Sequence, residues 1–188
     1  MDLSGIKLSI ELIPATSWFD NVRSFLRKGE WDLIKTACYT RAGRRCEICG
    51  GKGPSHPVEC HEIWHYDEVR KVQSLQGLIA LCPSCHRVKH LGNTARLGKY
   101  HLDTAMRHLR RVNGWNEETA DAYVRLMFAQ WNERTRHQWK VDLGWLHDNR
   151  ESYVRDAQGH ARQALALRMN AAMSSKRTEH ADEYGAFS

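Results

Sequence analysis

Two cysteine pairs constrain the fold of this chain more than any other sequence feature. Two residues separate Cys46 from Cys49 and Cys82 from Cys85, and 32 residues lie between the pairs. Because a two-residue gap lets both thiolates of a pair reach the same ion, we predict that the four cysteines hold one tetrahedral zinc. Four thiolates fill its coordination sphere, so this zinc is expected to be structural and to contribute to folding.

Three histidines around the second pair predict another metal site. His86 and His90 are four residues apart, which on a helix places both imidazoles on one face about 6 Å from each other. His61 can supply a third ligand if the strand that carries it packs against that helix. Three neutral imidazoles leave coordination positions open, which is typical of a catalytic ion rather than a structural one.

Charge is concentrated around these motifs. The chain has 188 residues and a net charge of +6, but between Arg41 and Arg111 there are 13 Lys and Arg against 6 Asp and Glu. This excess indicates either a polyphosphate partner such as DNA or a solvated basic face. Neither a signal sequence nor a long apolar segment is visible, so we expect a cytoplasmic protein in a reducing compartment with no membrane contact. The other cysteines, Cys38 and Cys60, are predicted to be buried thiols.

The apolar pattern predicts a mixed α+β chain. The second cysteine pair begins a helix after Pro83 that Gly92 ends, and a polar excursion at residues 67–75 separates two predicted strands. The tryptophans outside the metal segment, Trp18 and Trp31 among them, are interpreted mainly as core residues. The other predicted elements are a strand over residues 5–13, helices at Ser17–Gly29 and Glu30–Ala42, strands at Val58–His65 and Leu78–Leu81, and helices at Leu102–Val112, Glu117–Trp139 and residues 149–172.

The segment from Cys46 to His90 resembles the HNH, or ββα-metal, nuclease family in its zinc-bracketed form. The resemblance rests on the pattern C-x2-C, V-E-C-H-E-I and L-I-A-L-C-x2-C-H-x3-H within residues 44–92. It implies an α+β fold in which a zinc-bracketed ββα-metal core is embedded in mostly helical flanking segments. The corresponding domain prediction is an N-terminal strand and helices at 1–43, the HNH unit at 44–92, a helical extension at 93–172 and a disordered tail at 173–188.

The resemblance also implies roles for individual residues. His61, His86 and His90 take the ligand positions of a catalytic divalent ion (Mg, Mn, Ni or Zn), and Glu62 occupies the position of the general base. The family usually has histidine at that position, so His61 or His65 is an alternative base. The middle Asn of the motif is also absent, since Gly77 precedes the second strand. Phosphate contacts are predicted on or beside the motif, at Arg70, Lys71, Arg87 and Lys89.

Two main hypotheses about function follow from this pattern. The first is a metal-dependent DNA endonuclease that hydrolyses phosphodiester bonds by single-metal water attack. The alternative is a catalytically inactive HNH-derived zinc module that binds DNA or a protein. A third hypothesis is an effector of another enzyme, in which the Trp-rich helices contact a protein partner or form a homodimer.

Overall fold

The computed structural model describes residues 5–17, 21–26, 28–149, 151–153, 155–156 and 158–159. These residues form an α+β structure in which a three-stranded sheet lies between helices. A 3₁₀ turn at Ala15–Ser17 precedes the first helix. The helices are α1 Val22–Phe25, α2 Lys28–Arg41, α3 Pro83–Lys89, α4 Leu91–Arg96, α5 Lys99–Asn113 and α6 Glu117–Arg134, and the strands are β1 Glu59–Asp67, β2 Val72–Leu81 and β3 Lys140–Asp142.

The sheet has the order β1-β2-β3. β1 and β2 are antiparallel, and His61 pairs with Ile79. A bulge after Ile63 leaves Gln76 without a partner in β1. Both strands are longer than predicted, and the expected polar excursion at 67–75 is mostly β2. The reason is that the turn closes within residues 68–71, where Asp67 Oδ1 accepts the backbone N–H groups of Val69 and Arg70 at 3.0 and 2.8 Å.

The helix after β2 is interrupted where it was predicted to continue. The Sγ atom of Cys82 caps α3 by accepting the N–H of Cys85 at 3.5 Å, and Pro83 occupies the first turn. α3 ends at Lys89, its C-cap His90 has a non-helical ψ of 46°, and α4 then begins at Leu91. Gly92 therefore lies inside α4 instead of ending the helix, a correction to the prediction. This break turns the chain just beyond the histidine pair.

A first hydrophobic core joins the N-terminal segment to α3, α5 and α6. Leu8 and Ile10 pack there with Val88, Leu109 and Tyr123. The strand predicted over residues 5–13 is wrong, since the segment has no strand assignment. Its apolar side chains are buried as the alternation requires, but its backbone N–H groups do not bond to a neighbouring strand. They bond to other acceptors. Among these, the Tyr123 hydroxyl accepts the N–H of Ile10 at 3.1 Å and the Lys89 carbonyl accepts that of Glu11 at 2.8 Å.

A second core lies on the other face of the β1–β2 hairpin. Trp31, Ile34 and Cys38 of α2 pack against Leu75 and Ala80 of β2. The helix predicted at Glu30–Ala42 is observed as α2, and Trp31 is a core residue as predicted. The helix predicted at Ser17–Gly29 is wrong as a single element, because α1 ends at Phe25 and Gly29 lies in the first turn of α2.

The C-terminal helices agree with the predicted order. Gly114 at φ +69° ends α5, and the side chain of Asn116 caps α6 by accepting the N–H of Thr119 at 2.8 Å. α6 ends at Arg134, earlier than predicted, and the chain continues into β3, which pairs parallel to β2. The described residues do not include Trp18, most of the helix predicted at 149–172 or the tail at 173–188. No helix in the described ranges has the length and apolar character that crossing a bilayer requires.

Candidate metal centres and the groove beside them

The four cysteines converge on one point. The Sγ atoms lie within 4.8 Å of one another, and those of Cys49 and Cys82 are 3.6 Å apart. Zn–S bonds of about 2.3 Å at tetrahedral angles require S–S distances of about 3.8 Å, so this donor set fits zinc. Cys46 and Cys85 are buried and Cys49 is exposed. The cluster can hold a structural metal such as zinc, as predicted.

One cysteine of the cluster has a partner outside the motif. The Nε2 atom of His108, on α5, lies 3.1 Å from Cys85 Sγ. Arg111 donates to His108 Nδ1 at 2.8 Å, so the ring proton must be on Nε2, where it can be donated to the sulfur. His108 is buried, and burial together with the charge of Arg111 lowers its pKa, which keeps the ring neutral. The helical extension therefore supplies the zinc site with a hydrogen-bond donor.

The three histidines also converge, as predicted. His61 lies on β1, His86 on α3 and His90 at the break between α3 and α4. Their ring centroids are 4.7–5.3 Å apart, and one nitrogen from each lies within 4.8 Å of the others. His61 is buried, whereas His86 and His90 are partly exposed. The group could hold a metal ion through three imidazoles that share one side of the hairpin.

Two carboxylates determine which histidine nitrogens face the centre of this group. Glu11, from the N-terminal segment, lies 2.7 Å from His61 Nε2, and Glu59 of β1 contacts His86 Nδ1. The opposite nitrogens, Nδ1 of His61 and Nε2 of His86, are left for an ion. Carboxylate–histidine pairs of this kind commonly orient metal ligands. Glu11 also forms an ion pair with the ammonium group of Lys89.

The protonation states favour metal binding. Burial lowers the pKa of His61 against the opposing effect of Glu11, and burial with the nearby His61 and His86 lowers the pKa of His90 to about 3. Burial would raise the pKa of Glu11, but the His61 hydrogen bond and the Lys89 charge bring it to about 2. At neutral pH, His61 and His90 are therefore neutral and Glu11 is ionised.

Glu62 lies beside the histidines but on the opposite face of β1. Its carboxylate accepts the N–H of Val22 at 2.8 Å and the indole N–H of Trp64 at 3.1 Å. Burial raises the pKa of Glu62, while both hydrogen bonds and the charge of Arg23 oppose the increase. Glu62 is thus a fixed and partly desolvated carboxylate at the edge of the cavity that the histidines line.

His65, the alternative base, is exposed and four residues from His61 along β1. At about 3.3 Å per residue, this separation is about 13 Å, too long for a residue that shares a water molecule with the ion. Glu62 is the closer candidate along the strand, although its side chain leaves β1 from the face opposite His61.

The predicted phosphate contacts have different environments. Arg87 is exposed on α3, and Arg70 is exposed at the β1–β2 turn, where it pairs with Asp67 at 3.2 Å. Lys71, in the same turn, has its Nζ 5.6 Å from the centroid of the Trp139 ring. Lys89 is buried, only 6% exposed, and donates to Glu11 and to Ser9 Oγ at 2.8 Å. Its burial and its ion pair with Glu11 disfavour the predicted phosphate contact.

A groove opens over the histidines. One cavity of about 530 Å³ contains the side chains of His61, His86 and His90, and a second of about 460 Å³ adjoins it. Both are lined by Glu11, Leu12, Ile13, His90, Asn93 and Trp131, so they form one continuous groove.

Comparison of the chain with protein-family models, with curated proteins and with solved structures gives no match. The function is therefore inferred from the arrangement of the site.

The sequence prediction missed Glu11, Glu59 and His108. Glu59 precedes the motif histidine by two residues, which on a strand places it on the same face, so this residue could have been found. No signal identified Glu11 or His108, because both lie far from the motif along the chain and are brought to it only by packing. Cys38 is buried as predicted, and Cys60 is partly buried.

Proposed function

We propose that this protein is a metal-dependent DNA endonuclease of the HNH type. The observation that carries the proposal is the convergence of three histidines, two of them oriented by carboxylates, at the base of a groove beside Glu62. A site that only stabilised the fold would not require open coordination positions facing a groove. The zinc-bracketed motif supports the same assignment by resemblance.

The residues have separate roles in this proposal. A divalent ion, when bound, supplies Lewis-acid stabilisation of the negative charge that develops on the scissile phosphate. His61, His86 and His90 hold that ion, and Glu11 and Glu59 keep two of the rings in the required orientation. Glu62 accepts the proton of the attacking water, and its raised pKa makes it a stronger base than an exposed glutamate.

A second candidate is a non-catalytic zinc module that binds DNA. The hydrogen bonds of Glu62 favour this candidate, because they give the carboxylate a structural role in which it holds the first residue of α1 against β1. The second candidate needs no ion at the histidines, whereas the nuclease does.

Plasmid cleavage with added Mg²⁺, Mn²⁺ or Ni²⁺ tests the nuclease proposal. We expect wild type to nick or linearise the plasmid, His86→Ala to be inactive, and Glu62→Gln to be at least about 100-fold slower, the usual contribution of a general base. Glu62→Gln should still bind the second ion, because it leaves the histidines unchanged. His147→Ala and Glu133→Gln, at exposed positions away from the groove, are matched controls.

Three results would change the assignment. Full activity in Glu62→Gln would mean that another group is the base. Activity retained in His86→Ala would place the ion elsewhere. No cleavage by folded, zinc-loaded wild type with any of the three metals would favour the binding module.

A further inference from the structure

We propose that the groove over the histidines receives a single, unpaired nucleic-acid strand, with Arg23 and Arg96 contacting its phosphates. This proposal rests on the proposed nuclease function and specifies its substrate class. Three features of the groove carry it: the position of its arginines, the chemistry of its walls and the depth of its histidines.

Each of the two cavities has an arginine in its lining. Arg23 lines only the cavity that contains all three histidines, and Arg96 lines only the adjoining one, while His90 belongs to both. A polyanionic strand that occupied both cavities would therefore meet a cation in each.

These two arginines are available, unlike the other cations of the site. Lys89 is paired with Glu11, and Arg134 is paired with Glu68 at 2.7 Å. Arg23 and Arg96 are exposed and form no ion pair with any described residue. The guanidinium of Arg23 lies 5.9 Å from the centroid of the Trp31 ring, which also lines the first cavity.

The walls of the groove include aromatic side chains, although the Arg134 guanidinium already covers the Tyr66 ring, 4.3 Å from its centroid. Trp64 and Tyr66 line the first cavity, Phe128 lines the second, and Trp131 lines both. Each of these side chains is partly exposed. Aromatic surfaces stack on unpaired bases, whereas a duplex presents its charged backbone and keeps its bases paired inside. Arginines combined with aromatic side chains are what many proteins use to bind single strands.

The histidines lie deep in the groove. His61 is buried at 4% exposure, and 26% of the His86 side chain is exposed. The scissile phosphate must therefore enter a recess of about 530 Å³, a volume that encloses a small molecule. An unpaired strand can place one nucleotide there without the cost of extruding it from a duplex.

The test is a binding measurement without added divalent ions, so that cleavage does not contribute. A labelled strand of about 16 nucleotides without self-complementarity is titrated with zinc-loaded full-length protein, alone and annealed to its complement. Fluorescence anisotropy over a range of salt concentrations gives the affinity and its salt slope. We expect the strand to bind at least about tenfold more tightly than the duplex and to quench tryptophan fluorescence, which stacking on the groove would cause.

Variants of the two arginines test whether Arg23 and Arg96 contact the phosphates of the strand. Arg23→Gln and Arg96→Gln should each reduce the salt slope for the strand by about 0.7, and the double variant by about 1.4. Arg125→Gln, an exposed position on α6 that lines neither cavity, should leave the slope unchanged.

Equal or tighter binding of the duplex, or slopes that the two groove variants do not change, would overturn this proposal. These outcomes are separate from those of the cleavage assay. Cleavage of duplex DNA without a preference for single strands would support the nuclease proposal and contradict the single-strand proposal. Binding of single strands without cleavage of any DNA would support the single-strand proposal and contradict the nuclease proposal.

Discussion

At the scale of single residues, the histidine site depends on groups that orient the rings and not on the histidines alone. Glu11 is the clearest case, because it connects the N-terminal segment to His61 and to the ammonium group of Lys89. A neutral amide at this position could still bond to the ring but would no longer balance the buried charge of Lys89.

We expect Glu11→Gln to weaken binding of the second ion about 10- to 100-fold while the four-cysteine site keeps its zinc. Titration calorimetry of zinc-loaded protein with Mn²⁺ or Ni²⁺ measures the change. The double variant Glu11→Gln with Lys89→Met separates the two effects, because it removes the charge that the single variant leaves unpaired. Unchanged metal affinity in both variants would show that Glu11 does not orient His61.

His90 predicts how stability depends on pH. Its pKa is about 3 in the folded chain against the ordinary 6.5, so the unfolded chain binds a proton first as the pH falls. Stability is therefore complete above about pH 6.5 and decreases below it, with the loss reaching about 2 kcal/mol at pH 5.

Urea unfolding at pH 7 and pH 5 of protein that holds one zinc per chain measures this effect. We expect His90→Gln to lose less stability than wild type between these pH values, since it lacks the titrating ring. An identical loss in both proteins would assign the pH dependence to other groups whose pKa burial lowers, such as His61 and His108.

At the scale of elements, α5 is part of the zinc site although it lies outside the zinc-binding segment. His108 projects from its buried face beside Ala105 and Leu109 and donates to Cys85. A hydrogen bond to a thiolate withdraws charge from the sulfur and fixes its orientation, which stabilises the bound metal.

We expect His108→Phe, which keeps a ring but removes the donor, to release zinc about 10- to 100-fold more readily to a chromogenic chelator. Arg111→Met should have a smaller effect of the same sign, because the ring could then adopt either tautomer. His101→Phe on the same helix is the control. Zinc release that is equal in all four proteins would contradict a role for α5.

At the scale of the whole molecule, the four-cysteine cluster is connected to only one of the two hydrophobic cores. Cys46, Cys82 and Cys85 belong to the core that contains Leu8 and Leu109, so a zinc ion held by them would be embedded in the packing of the N-terminal segment, α3, α5 and α6. Among the described residues, the core between α2 and the other face of the hairpin contains none of the four zinc-binding cysteines.

Zinc removal is therefore expected to affect the molecule unevenly. Chelation should increase amide hydrogen exchange in residues 46–58 and in α3 and α5 well before it does so in α2, because only the former lose an anchor. Hydrogen-exchange mass spectrometry with and without chelator makes the comparison. Equal loss of protection in α2 and α5 would mean that the cores unfold together.

The sequence by itself determined the ligands and the elements that carry them. The spacing of Cys46 and Cys49 and that of His86 and His90 are local, and local spacing on a turn or a helix fixes which atoms can meet. The same holds for the buried face of α2 and for the cap of α6, which depend on residues within a few positions of each other.

Only the tertiary structure decided what surrounds those ligands. Residues 5–13 have the alternation of a strand, yet no described strand pairs with them, and Asn113, Tyr123 and Lys89 supply their acceptors instead. Lys89 has the charge expected of a phosphate contact, but it is buried by the N-terminal segment that brings Glu11 to His61. Such pairings join residues tens of positions apart, and periodicity carries no information at that separation because packing, not local propensity, selects the partner.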